Sequence, residues 1–151
     1  MNHIEYFKLQ AKNLFKDYKT QTSYIDDVDG NSYYKYAPKF FDIDQIVLDY
    51  DLDEENLSLM KIHHIFAQLL GFKKWADLSK ASEAELELAK QLFDNQDKIF
   101  LEDWKMYISG VEDDNNTTFD SETRLEIFKQ VFLNVEGHKS PFPDYRLNTT
   151  A

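Results

Sequence analysis

The sequence predicts a mainly α fold: a compact multi-helix domain of about six helices, with a small irregular or β-hairpin-containing acidic insertion after the first helix. Three observations predict it. Apolar residues recur at helical spacing over most of the 151 residues, helix-start and helix-stop signatures punctuate that pattern, and one stretch interrupts it. From Tyr24 to Glu55, ten acidic side chains stand against two lysines, so a net charge of −8 out of the chain's −11 falls in about a fifth of its length.

The first helix is set by Ile4, Phe7, Ala11, Leu14, Phe15 and Tyr18, with Lys8, Lys12, Lys16 and Lys19 between them, and should end near Thr20. Residues 21–36 read as a hairpin with Asp29-Gly30 as its turn and β-preferring residues on both sides. Pro38 ends that pattern. Phe41 to Leu52 reads equally as a short helix on Ile43, Ile46, Val47 and Tyr50 or as an alternating strand, and periodicity does not arbitrate.

From Leu57 to Leu70 the stripe Leu59, Ile62, Phe66 and Leu69, with Ile65 and Leu70 beside it, predicts a buried helix that Gly71 terminates. Phe72 and Trp75 open a short helix to about Lys80. Ser82 and Glu85 then form a capping box for a helix whose inner face is Leu86, Ala89, Leu92 and Phe93. A further helix is expected over 97–109, and Gly110 with the polar run Glu112 to Thr118 reads as a loop. Asp120 or Ser121 caps the next helix, on Leu125, Phe128, Val131 and Phe132. Residues 136–151, with Gly137, Pro141 and Pro143, read as tail, which leaves 1–135 as a single domain. The expected core is Phe7, Leu14, Leu59, Ile62, Phe66, Leu69, Phe72, Trp75, Leu86, Phe93, Trp104, Phe128 and Phe132.

A chain of this length can bury about two thirds of its unfolded surface without staples. The absence of cysteine excludes disulfides, cysteine nucleophiles and thiolate metal sites. The start Met1-Asn2-His3 has no basic region followed by an apolar core, and no apolar run approaches the ~18 residues of a membrane span, so a cytoplasmic location is expected. A pI near 4.7 disfavours direct binding to nucleic acid or anionic membrane, both of which require a basic footprint, and favours basic partners.

Chemical motifs are weak. Placing Gly30 at position 6 of a calcium loop puts Ile25 and Tyr36 where carboxylates are required, so the EF-hand pattern fails. Asp26, Asp27, Asp29 and Asn31 leave a weaker divalent-cation site to weigh against an ordinary Asp-Gly turn. His63 and His64 point about 100° apart on a helix and cannot chelate one ion together, so each reads as a boundary or core histidine. Paired acids such as Asp49 and Asp53 have the residue types for acid and base work, but general acid catalysis needs one raised pKa in an apolar pocket, which sequence spacing does not show, so acidic crowding alone is weak evidence. With four glycines, no phosphate loop and no nucleophile elbow, the chain carries no catalytic signature and no cofactor is expected.

Two segments, Ile4 to Leu14 and Ile65 to Leu78, resemble the small helical module of bacterial glyoxalase-related proteins, with its "AK-x-L" helix followed by "A-x-x-x-G-F-x-x-W-x-x-L". In mechanical terms Gly71 ends one helix while Phe72, Trp75 and Leu78 pack the next back upon it. The resemblance implies architecture and a regulatory or binding role, and transfers no site: a histidine often found before the apolar helix in that module aligns with Leu59. The lyase activity associated with the name belongs to a separate βαβββ metal domain that is not evident here. In that module the two helices are close in sequence, so the resemblance makes Thr20 to Glu54 an insertion, and insertions on rigid scaffolds are where contact residues tend to lie.

The functional expectation is a nonenzymatic bacterial interaction or regulatory protein of inhibitor, immunity or antitoxin type. Its contact candidates are Tyr33, Tyr34, Tyr36, Asp42, Asp44, Asp49, Asp51, Asp53 and Glu54. The acids would complement lysine and arginine on a partner, and the tyrosines would supply rigid contact area. Mimicry of nucleic acid before a nucleic-acid-binding protein is the sharper form. The competing expectation is a small-molecule- or metal-binding domain or enzyme, with the acidic segment as metal site or lid; a third is an oligomerisation domain.

Overall fold

The computed structural model describes residues 2–56, 58–142 and 144–147. Seven α-helices and one two-stranded antiparallel hairpin lie among them. Helix α1 (His3–Tyr18) starts at a reciprocal cap: the Asn2 side chain accepts the Glu5 N–H at 2.8 Å, and Glu5 returns to the Asn2 N–H. Its buried stripe is Phe7, Ala11, Leu14 and Tyr18, and the next position inward is an acid, Asp17, 2% exposed.

Strands β1 (Thr22–Ile25) and β2 (Ser32–Lys35) pair with Tyr24 opposite Tyr33, and Gly30 takes the left-handed conformation (φ 73°) in the connecting loop. Helix α2 (Ile43–Tyr50) settles the ambiguity of 41–52 in favour of the helix. Asp42 caps it, accepting the Gln45 N–H at 3.2 Å, and Ile43 and Ile46 are buried as 3.6-residue periodicity requires.

Helix α3 (Leu59–Leu69) packs on α1, with Ile62, Ile65, Phe66 and Ala67 buried. Leu59 is a correction to the expected core. It lies in the first turn and stays 46% exposed, because the buried stripe begins one turn later at Ile62. Gly71 is left-handed (φ 94°) as the helix stop demands, and α4 (Trp75–Ser79) returns with Leu78 fully buried. Leu69, Phe72 and Trp75 are half-buried at the core margin, not inside it.

The Ser82–Glu85 capping box opens α5 (Glu83–Asp94), which joins two apolar clusters. Leu86, Ala89 and Phe93 belong to the main core with α1, α2 and α3, whereas Leu92 joins Ile99, Trp104, Ile108, Phe128 and Phe132. Helix α6 (Leu101–Asp114) starts later and ends later than its sequence suggests. Lys98 and Ile99 close a turn on the Asn95 carbonyl, and the helix runs straight through Gly110 to the acids expected in a loop. A glycine inside a helix costs only about 1 kcal/mol, which Trp104 and Ile108 packing offsets. Asp120 caps α7 (Ser121–Phe128), and a π-helical turn (Lys129–Leu133) extends it.

The stretch read as tail is partly built into the body. Tyr145 is 6% exposed, Phe41 and Arg146 form an antiparallel bridge, and backbone bonds run from Asp42 N–H to the Tyr145 carbonyl and from Leu147 N–H to the Phe40 carbonyl, both at 2.8 Å. Arg146 donates to the Asp94 carbonyl at 2.9 Å and forks onto Asp144 at 3.1 and 2.8 Å.

Candidate functional site

The acidic segment leaves α1 at Thr20 and enters α3 at Leu59, and α1 and α3 pack directly on each other. What lies between them is anchored on that helical pair and, through Phe41, Ile43 and Ile46, on α5 and the C-terminal segment. Its attachment to α1 rests on Asp17. Oδ1 accepts the Lys39 N–H at 2.9 Å, and Oδ2 accepts those of Phe40 and Phe41 at 2.8 and 2.7 Å. Three backbone donors converging on one buried carboxylate satisfy a chain turn that would otherwise bury bare N–H groups.

A second tie holds the hairpin root against the α2–α3 turn. Gln21 donates one amide to the Tyr36 hydroxyl at 2.9 Å and to the Glu54 carbonyl at 2.8 Å, while Tyr36 donates to the Glu54 carboxylate at 2.8 Å. Burial raises the Tyr36 hydroxyl well above the usual phenol range; Gln21 opposes that shift and the Glu54 carboxylate reinforces it. The Tyr18 ring meets Tyr36 edge-on, with centroids 5.4 Å apart, so the root packs as well as hydrogen-bonds.

Beyond that root the hairpin is exposed on both strands save for half-buried Tyr34. Asp26 accepts the N–H of Val28 at 2.7 Å, and Asp29 accepts that of Asn31 at 2.8 Å as well as the Tyr33 hydroxyl. These acids close the turn. Tyr33, first, and the Asn31 backbone hold the Asp29 carboxyl below the ordinary range. Among the described residues no group of three or more histidines, aspartates or glutamates is arranged to share a metal ion.

The expected contact residues therefore divide by task. Tyr36 and Glu54 bond to each other, Asp42 caps α2, and Asp49 accepts Gln45 at 2.9 Å and the Tyr145 hydroxyl at 2.5 Å. Asp53 accepts Asn56 at 3.1 Å, Lys61 at 3.1 Å and the Glu55 N–H at 3.0 Å, and these bonds, Asn56 first, hold its carboxyl at about 2. Asp44 and Asp51 face solvent, and Tyr33, bonded to Asp29 through its hydroxyl, keeps an exposed ring. Asp51 sits in the left-handed region (φ 48°) at the end of α2, a conformation that aspartate tolerates.

Sequence reasoning missed the apolar part of this surface. Leu48 is 75% exposed and shares a face of α2 with Asp44, four residues before it, and Asp51 follows as the left-handed cap of the helix. Beyond that cap lies a groove of about 360 Å³ whose apolar lining is Leu52, Met60 and Ile65, edged by Asp51, Asp53, Lys61 and His64, with Lys61 paired to Asp53 at 3.1 Å. Met60 is 82% exposed at its rim. The available signal was local: Leu48 and Met60 fall off the buried stripes of their helices, and an apolar residue off-stripe is either idle or a contact. His63 is a boundary residue. Its ring stacks on Trp75 at 4.4 Å, and burial, then Lys8, lowers its pKa.

Comparison with protein-family models, with curated proteins and with solved structures finds no match to this chain.

Proposed function

We propose that this chain is a nonenzymatic interaction protein of inhibitor, immunity or antitoxin type that offers an acidic, apolar-studded face to a basic surface of another protein in the cytoplasm. The face comprises the outer hairpin, the solvent stripe of α2 and the groove beside α3. One observation carries the reading: exposed Tyr24, Ile25, Val28, Tyr33 and Leu48 are interspersed with exposed acids on a segment of net charge −8, and exposed Met60 stands just beyond it on α3. A merely solvated acidic surface gains nothing from apolar side chains standing in water, whereas an interface uses the charge for encounter and the apolar area for retention.

The resemblance of α1, α3 and α4 to a bacterial glyoxalase-related helical module supports treating residues 20–54 as an insertion on a binding scaffold. That direct α1–α3 packing brackets the insertion favours the same view. The test is affinity capture from the native host at low and high salt, with wild type beside the fourfold variant Asp27→Asn, Asp44→Asn, Asp51→Asn, Glu55→Gln. These four side chains are exposed. A discrete basic protein retained by wild type and released by the variant or by salt is expected; identical, salt-insensitive capture by both would refute the proposal.

A further inference from the structure

Asp49 is held away from that groove and looks into a separate cavity of about 430 Å³. Four aromatic side chains, Tyr50, Phe100, Phe142 and Tyr145, and two carboxylates, Asp49 and Glu102, line it. Three regions distant in sequence build it: the end of α2, the start of α6 and the C-terminal segment. The rings adjoin one another, with centroids 5.0 Å apart for Phe100 and Phe142, 6.4 Å for Phe100 and Tyr145, and 5.9 Å for Tyr50 and Tyr145.

Asp49 is fixed from two sides, by the Gln45 amide and the Tyr145 hydroxyl, and both donors are neutral. Glu102 meets Lys105 at 3.8 Å in an exposed pair, which is weak and easily exchanged. Burial, then the charge of Glu102, then that of Asp49, pushes the Tyr50 hydroxyl up to about 12, so the cavity wall senses both carboxylates.

We propose that this cavity seats the guanidinium of an arginine from the partner protein. Ring faces attract a cation, the planar guanidinium stacks on them, and its fork of N–H donors suits two carboxylates better than an ammonium does. A neutral group would leave the carboxylates desolvated without compensation, and an anion would be repelled. A hard metal ion would need more converging oxygens than two carboxylates supply. The inference rests on the basic-partner reading and names its anchor.

The test titrates the full chain with N-acetyl-arginine methylamide, its lysine counterpart and its neutral citrulline counterpart, following the Gln45 side-chain amide and the Tyr145 backbone amide by NMR. The arginine compound should shift both resonances with a Kd of about 1–10 mM, the lysine compound should bind several-fold more weakly, and the citrulline compound should not bind. Asp49→Asn with Glu102→Gln should weaken arginine binding about tenfold or more while lowering the melting temperature no more than Tyr145→Phe does, since asparagine keeps one acceptor that Tyr145 can use. Equal shifts with citrulline, lysine binding as tight as arginine, or unchanged binding by the double variant would overturn the proposal. The cavity pair and the four positions of the capture variant share no residue, so the two proposals fail separately. Salt-sensitive capture unaffected by the double variant sinks the cavity alone.

Discussion

The Asp17 carboxylate accepts the Phe41 backbone N–H at 2.7 Å, joining the last turn of α1 to the segment that follows the hairpin, 24 positions later. With Lys39 and Phe40 as the other donors, one buried acid fixes the exit of the hairpin, midway along the acidic insertion. Replacing it with alanine strands three backbone donors, so Asp17→Ala should cost about 3–5 kcal/mol. Asparagine keeps one acceptor and should cost less. Urea unfolding of both variants reads this as a fall in midpoint at unchanged slope.

Tyr145 ties the C-terminal segment to α2 through burial and through Asp49. Its two contributions separate by substitution. Tyr145→Phe removes only the hydroxyl bond to a carboxylate and should cost about 1.5–3 kcal/mol, whereas Tyr145→Ala also empties a buried aromatic site and should cost about 3–5 kcal/mol. Equal effects would mean that the ring contributes nothing.

Two glycines should respond in opposite directions. Gly110 lies inside α6 with ordinary helical backbone, and a Cβ there would meet nothing within 4 Å, so Gly110→Ala should stabilise by about 0.5–1 kcal/mol. Gly30 has the same open space but a φ of 73°, so Gly30→Ala should destabilise by about 1 kcal/mol. Thermal melts of the two single variants decide the matter.

Stability should form a plateau between about pH 7 and 9. On the acid side Asp29, Asp53, Glu87, Glu112 and Asp120 are held below the carboxylate range, chiefly by Tyr33, Asn56, Gln91, Arg124 and Thr123 respectively. A lowered folded pKa gives stability that is complete above the unfolded value, about 4, and is lost as pH falls through the folded one, which for Asp53 is about 2. His63, lowered by burial, begins the decline earlier, below about pH 6.5. On the alkaline side burial raises Tyr6, Tyr18, Tyr36, Tyr50 and Tyr145. Their contribution is complete below the unfolded phenol value, about 10, and is lost as pH rises through the folded values. Tyrosinate absorbance from these five should therefore appear together with the loss of helical circular dichroism.

Helix order and most of the core were legible because burial stripes and caps are local: Ser82 with Glu85, Gly71, and the Phe7–Leu14 stripe are each set by near neighbours in sequence. The helix at 43–50 was undecidable from periodicity, since Ile43, Ile46, Val47 and Tyr50 gain their partners only when Phe41 and Tyr145 arrive. Docking of residues 144–147 was illegible for the same reason: its bonds reach back to Phe40, Asp42, Asp49 and Asp94. The charge of the candidate face was plain in sequence, but its division of labour was not. Counting acids cannot tell Glu54, bound to Tyr36, from Asp51, which faces solvent. Asp17 did leave a trace, as an acid three residues after Leu14 beside an otherwise apolar stripe.

The interaction proposal is met most directly by the salt dependence of affinity for a basic partner recovered by capture. Wild type should bind with an affinity that falls steeply as salt rises, and the Asp27→Asn, Asp44→Asn, Asp51→Asn, Glu55→Gln variant should bind about tenfold or more weakly at low salt with a flatter slope. Equal affinities and equal slopes for the two proteins would contradict it.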